Sequence, residues 1–495
     1  MIDFRQAKYI TIIGGGTAGW FAALTLRKMF ASKVEIIVIE SPDIGIVGVG
    51  EGGLINLINS LNHLGISTSE FMKGTDATFK WGFCYEGWRT GKKDDEFYHL
   101  FVNPEYKPFN YERANFFPLI SAVIAKKLPL ATIVKDFDGI KNRISQEKAI
   151  NCLIQKSGVS SSFHFDSFKV SNFLSKKAIE RGVLHIQGKV SDILFDSDGM
   201  ARHILIGNRK IDTDFIIDAS GFSRFVIGKK LNSKWNSFQE FLWLDRAIPF
   251  HVSHNGRNPE LVTRATAMSA GWMWQIPLNE RIGAGYVYSS RFTTEQLAIE
   301  EIEKYFGFKI TPQKVLKFEP GHFVQVWQKN IMALGLAAGF VEPLEATSIG
   351  QMLEQLRIFE KVVLQSGGLI SDLSIEQFNE ANALSWKGIR DFLRMHYDCP
   401  RKDTPFWLEV ANTPYPKSYA ALKEVFNKRL PRMQDVKGYA IHGWGGIFHV
   451  VNWIFVAQAL DLISPEACLQ ELQFLPDQLK HEVNDYLNYL NKELY

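Results

Sequence analysis

The first residues with an evident chemical use are glycines. Gly14-x-Gly16-x-x-Gly19 follows an apolar run and opens a helical pattern. That spacing gives a tight turn, lets backbone approach a pyrophosphate, and lets a helix pack closely on a strand, with Thr17 and Ala18 inside the motif. Glu40 stands 21 residues after Gly19, at the end of a second apolar run, where its carboxylate can accept hydrogen bonds from ribose hydroxyls. Ser348 and Gln351 have the S-x-x-Q spacing of a capping box, so Thr347 to Ile349 would enter a helix with free N–H groups able to hold an anion. Trp272 and Trp274, at i and i+2, put two indoles on one face of a strand. They serve either as core packing or as a screen beside a ligand.

These residues need elements to hold them. Tyr9–Ile13 and Val34–Ile39 read as buried parallel strands, almost continuously apolar. Between them Ala18, Phe21, Ala22, Leu26 and Met29 fall on one face of a 3.6-residue period, which completes a βαβ unit. Further strands are expected at Val183–Ile186 and Phe215–Ile217, with an antiparallel one at Gly283–Tyr288. Met352, Leu353, Leu356, Phe359, Val362 and Val363 predict a helix over Ile349–Leu364. After Ser374 strand signals disappear. The expected fold is mixed α/β: a Rossmann-like nucleotide-binding module with inserted β-sheet segments over 1–375, then a mostly helical substrate module over 376–495.

Composition narrows the function. The 495 residues leave room for several modules and a large core. Basic and acidic residues number 56 and 53, a net +3 without a basic block, which gives no support for nucleic acid binding. Cys84, Cys152, Cys399 and Cys468 lie far apart with no CxxC pair, so neither a zinc site nor a disulfide framework is indicated, and a reducing cytoplasm is expected. The N-terminal apolar run after Arg5 and Lys8 is broken by the glycine motif, unlike a signal peptide. The apolar stretch Gly445–Ile463 carries His449, Asn452, Gln458 and Asp461, which argues for a buried helix rather than a membrane span.

Longer motifs are more specific. Asp218-Ala-Ser-Gly-Phe-Ser-Arg224 resembles the DGxxSxxR segment of flavin-dependent aromatic hydroxylases, which favours FAD over NAD and puts Asp218 on the cofactor side. The aspartate of their GDxxH segment is missing from Gly335-Leu-Ala-Ala-Gly339. With the following Phe340-Val-Glu-Pro-Leu-Glu-Ala-Thr-Ser-Ile349, this run instead resembles the GLAxGFxEPLExTSI segment of the flavin-dependent tryptophan halogenase family. Gly271-Trp-Met-Trp-Gln-Ile-Pro277 is similar to its WxWxIP signature, and Thr78-Phe-Lys-Trp-Gly82 to the segment holding its catalytic lysine. Gly48-Val-Gly-Glu-Gly52 is similar to its flavin strap, and Phe163–Asp166 and Ile389–Phe392 resemble further family segments.

The resemblance implies a two-stage reaction. FADH2 from a separate flavin reductase, O2, and chloride or bromide yield hypohalous acid, which travels to Lys80 beside a small aromatic substrate. It implies that Gly48, Gly50, Glu51, Gly335 and Gly339 lie on the cofactor, that the N–H groups of Thr347 and Ser348 hold the halide, and that Glu345 is the second catalytic residue. Trp272, Trp274 and Pro343 would line the passage. Ala346 stands where members often carry serine, so no relay through that hydroxyl is available. Whether Lys80 acts as an ammonium or a neutral amine stays open, since an unperturbed lysine has a pKa of ~10.4 and burial lowers it. Members acting on free tryptophan clamp it with a tyrosine pair and an acid. Between Glu424 and Asp461 only Asp435 is acidic and no tyrosine pair occurs, whereas Trp444, Phe448 and Trp453 offer stacking surface, favouring an indole-like compound. The alternatives are an aromatic hydroxylase and a non-catalytic FAD-binding protein.

Overall fold

The computed structural model describes residues 1–45, 48 and 50–493. Its centre is a six-stranded sheet in the order Trp327–Gln328, Ile331–Ala333, Phe215–Asp218, Tyr9–Ile13, Glu35–Glu40, Leu184–Gln187. All neighbours are parallel except the first pair. The expected strands therefore pair as neighbours, each shifted by at most a residue or two. The first crossover helix, Thr17–Phe30, buries Phe21, Ala22 and Leu26.

A seven-stranded sheet lies beyond, ordered Leu316–Lys317, Arg246–Val252, Ile282–Tyr288, Gly271–Pro277, Thr263–Met268, Gly82–Glu86, Glu96–Leu100. Ile282–Tyr288 is antiparallel to both its neighbours, as its alternation predicts. A small antiparallel sheet places Ser162–Phe165 between Glu51–Gly52 and Thr78–Lys80. Glu51–Gly52 thus shares a three-stranded sheet with Lys80.

The helix expected after Ile349 runs over Thr347–Gln365. Among the described residues the chain after Ile370 forms helices without strands, and the division expected at 375 falls inside the 25-residue helix Asp372–His396. The buried helix expected over Gly445–Ile463 is shorter, Val450–Ala459, because His449 and Asn452 form a capping box there. All four cysteines are free. Among the described residues no helix is long and apolar enough to cross a membrane.

Candidate active site

A cavity of about 450 Å³ opens at the carboxyl ends of the parallel strands. Gly14–Ala18, Glu40, Glu51, Ala219–Ser223, Gly335 and Ser348 are among its lining residues. Gly14 has φ +121°, and a Cβ there would come within 2.2 Å of the Ala219 carbonyl oxygen. A Cβ on Gly19 would lie 1.9 Å from the Gly14 oxygen, so this glycine seats helix on strand. A Cβ on Gly16 would meet nothing within 4 Å. Gly16 therefore borders free space where a pyrophosphate could approach, and the set fits an extended dinucleotide such as FAD. Glu40 lies over Gly15 and accepts from His185 Nε2 at 3.0 Å. Lys189 and Lys229 also line the cavity, two cations that no sequence signal marks.

Several expected cofactor residues serve differently. The Asp218 carboxylate accepts from the N–H groups of Ser220, Val226 and Ile227 at 3.1, 2.9 and 2.8 Å. Asp218 thus shapes the turn, and the following backbone lines the cavity in its place. Gly339 faces Trp386 and His322, while Gly335 does line the cavity. In the expected strap, Gly48 packs on Ser167 and Gly50 on Leu278, and Val49 lies outside the described residues. Burial, reinforced by the charge of Asp166, pushes the Glu51 carboxyl up to about 7.

On the far side of the same segments, aromatic side chains wall a buried chamber site around Lys80. Lys80 is fully buried and its Nζ has no hydrogen-bond partner. The ammonium lies 3.9 Å from the Phe83 ring centroid and 5.4 Å from that of Phe101. It also rests on Gly52, where a Cβ would stand 2.7 Å from it. Burial pulls the Lys80 pKa down to about 7, against the opposing field of Glu345. Glu345 is equally buried. One oxygen, Oε1, meets the Tyr85 hydroxyl, His99 Nδ1 at 2.8 Å and His396 Nε2 at 3.2 Å, and Oε2 has no partner. Burial alone would raise this carboxyl, but His99 and His396 outweigh it and hold it well below the usual carboxylate range.

The turn that presents Glu345 is strained. Glu345 and Ala346 both adopt the left-handed region, φ 62° and 51°, which costs about 1–3 kcal/mol per residue. Pro343 closes it by accepting from the Ala346 N–H at 3.0 Å. The expected capping box at Ser348 does not form, because the helix starts two residues earlier, with Ala346 in the N-cap position and no side-chain cap. Gln351 instead donates to Asn382 at 3.0 Å and accepts from Ser385 at 2.7 Å. The Thr347 and Ser348 hydroxyls are buried without partners, and the first-turn N–H groups have no intrahelical acceptor. Two short segments thus join the cavity to the surroundings of Lys80: Glu51 and Ser348 line the cavity, while Gly52 packs on Lys80 and the charge of Glu345 acts on it.

Trp272 and Trp274 are both buried, with ring centroids 6.4 Å apart. Trp272 donates to Glu342 Oε2 at 2.7 Å, and Tyr397 donates to the same oxygen at 2.6 Å. Burial pushes the Glu342 carboxyl up to about 7 despite both bonds.

A model of the tryptophan halogenase family matches residues 9–476. The chain belongs to that family. A 7-chloro-L-tryptophan 6-halogenase of Kutzneria sp. (strain 744) is 30% identical over 464 residues, 88% of this chain and 87% of that protein. Among solved structures, a tryptophan halogenase from Shewanella frigidimarina NCIMB 400 superposes with a TM-score of 0.84 at 25% identity, covering 99% of this chain and 94% of the other. A flavin-dependent halogenase from Xanthomonas campestris gives 0.81 at 28%, covering 99% and 96%.

For a tryptophan halogenase the expected stacking residues need correction. Trp444 packs on Phe378, at the start of the helix whose other end carries His396, about 27 Å away along the axis. It is not part of the chamber. Phe448 and Trp453 pack on Phe392, at 3.7 and 4.9 Å between centroids, one ring behind His99 and His396. Phe455 stands closer, 6.2 Å from His99. Asp435 is paired with Arg429 at 2.7 Å and is engaged in the fold. Tyr85, His99 and His396 were not singled out by the sequence. They meet Glu345 across separations of 260, 246 and 51 residues, and only the strand pairing Phe83↔His99 brings the first two together.

Proposed function

We propose that this halogenase installs chlorine or bromine on an electron-rich, indole-like aromatic, guided by Lys80 and completed by Glu345. Bound FAD, delivered reduced by a separate flavin reductase, would activate O2 so that halide becomes hypohalous acid. The N–H groups of Thr347 and Ser348, at a helix start bordering the cavity, are suited to hold the halide. Lys80 receives the hypohalous acid by a hydrogen bond from Nζ. As the ring takes the halogen, the Lys80 proton leaves with hydroxide as water. Glu345 Oε2 collects the ring proton and restores Lys80, so hypohalous acid and arene become haloarene and water. The aromatic lining of Phe83, Phe101 and Phe455 suits a flat substrate, and the engagement of Asp435 by Arg429 disfavours an amino-acid clamp.

The observation that carries this reading is the buried Lys80 Nζ, without a partner, beside an ionised Glu345. The test is incubation with FAD, a flavin reductase, NADH, oxygen, bromide and chloride, followed by mass spectrometry of an indole and phenol panel that includes tryptophan. A halogen isotope pattern lost in Lys80→Ala is expected. Oxygenated products would assign a hydroxylase.

A further inference from the structure

The hydrogen bonds around Glu345 fix where its neighbours' protons are. Asn452 Oδ1 accepts from the His449 N–H at 2.8 Å, which settles the amide orientation. Its Nδ2 therefore faces His99 Nε2, at 3.0 Å, as a donor. His99 Nε2 is a bare acceptor, so the single ring proton sits on Nδ1 and is donated to Glu345. His396 differs. Its Nδ1 faces the Phe392 carbonyl oxygen at 2.8 Å, an acceptor only, and must carry a proton. Its Nε2 faces the Glu345 oxygen that already accepts from Tyr85 and His99. A carboxylate oxygen only accepts, so this 3.2 Å contact is a hydrogen bond with the proton on Nε2. Both nitrogens of His396 are then protonated, in a site closed to water.

We propose that His396 is an imidazolium and a positioning residue: with Tyr85 and His99 it occupies Glu345 Oε1 and keeps the carboxylate ionised, leaving Oε2 as the oxygen that faces substrate. The kinetic part rests on the reading that Glu345 takes the ring proton; the protonation pattern stands apart from it. Titratable groups facing His396 are Glu345 and Tyr85, with His99 across the shared oxygen and Lys80 acting on Glu345 through its field. Phe392 and Trp88 pack against the ring without charge.

The test uses the full chain without cofactor, labelled with 15N-histidine, with His396→Gln and His99→Gln as assignment variants. At pH 7, two-bond 1H–15N spectra are expected to show both nitrogens of His396 protonated and His99 protonated at Nδ1 alone. Asn452→Asp, which replaces the donor by an acceptor, is expected to bring a proton to His99 Nε2. A bare His396 Nε2 would overturn the proposal whatever the activity. In turnover assays His396→Gln keeps a donor but removes the charge, so kcat should fall about tenfold or more with KM changed less than about twofold. The acid limb of its pH–kcat profile should move upward. An acid limb identical to wild type would equally overturn it.

Discussion

In the nucleotide cavity the groups that would meet a ligand are largely backbone, drawn from short turns at the ends of parallel strands. In the Lys80 chamber they are side chains from the strands carrying Lys80, Tyr85 and His99, the turn carrying Glu345 and the helix ending at His396. The cavity is shaped by what is missing, since a Cβ at Gly14 or Gly19 would collide with backbone. The chamber is shaped by charges held without water. Two buried carboxyls three residues apart, Glu345 and Glu342, move in opposite directions. Glu345, which the protonated His396 faces, stays ionised, whereas Glu342, given only neutral donors, is pushed up to about 7. What a buried acid becomes is decided by the charge of its donors more than by their number.

The sharpest way to break this comparison is Lys80→Met, expected to lower halogenation on the order of 10³-fold or more. A lysine brought from 10.5 down to about 7 costs about 5 kcal/mol of stability at pH 7 and below. That cost fades as pH rises towards 10.5, because the depressed pKa favours the neutral form. The variant should therefore be inactive yet melt at higher temperature at neutral pH, as calorimetry would show. An inactive variant that melts lower would mean that Lys80 supports the fold. In the wild-type enzyme activity should decline above about pH 7 as the ammonium is lost, and a rise there would assign the neutral amine.

Next in size is a contrast between two glycines of one motif. Gly16→Val should leave the melting temperature near wild type but weaken FAD binding at least about tenfold, measured by fluorescence titration. Gly19→Ala forces a Cβ into the Gly14 carbonyl and should destabilise by about 1–3 kcal/mol. Equal effects of the two would erase the distinction between ligand space and packing.

The smallest effect is expected from Glu342→Gln, which keeps an acceptor for Trp272 and Tyr397. An acid raised from 4.5 to about 7 on folding withdraws about 3 kcal/mol of stability as pH climbs between those values. Denaturation across that range should show a flatter profile for the variant, with turnover changed by less than about threefold.

Much of the framework was legible because it is local. The βαβ unit, the glycine turn with Glu40 and the helix after Ile349 rest on periodicities and spacings within about thirty residues. Long motifs also marked Lys80 and Glu345. Asp218 was misread because a strand-end acid looks alike whether it binds a ligand or its own turn. Ser348 was misread because its spacing carries no sign of the strained turn before it. Trp444 was misplaced because aromatic residues close in sequence need not share a wall.

The sequence by itself determined the nucleotide-binding architecture and the family, and it marked the two side chains proposed to react, since these are written in contiguous motifs. Only the tertiary structure decided that Lys80 is stripped of water and hydrogen-bond partners, that one oxygen of Glu345 meets two histidines and a tyrosine, and that Asn452 fixes the tautomer of one histidine. Those are properties of solvent exclusion and of charges meeting across hundreds of residues, and no local pattern encodes them.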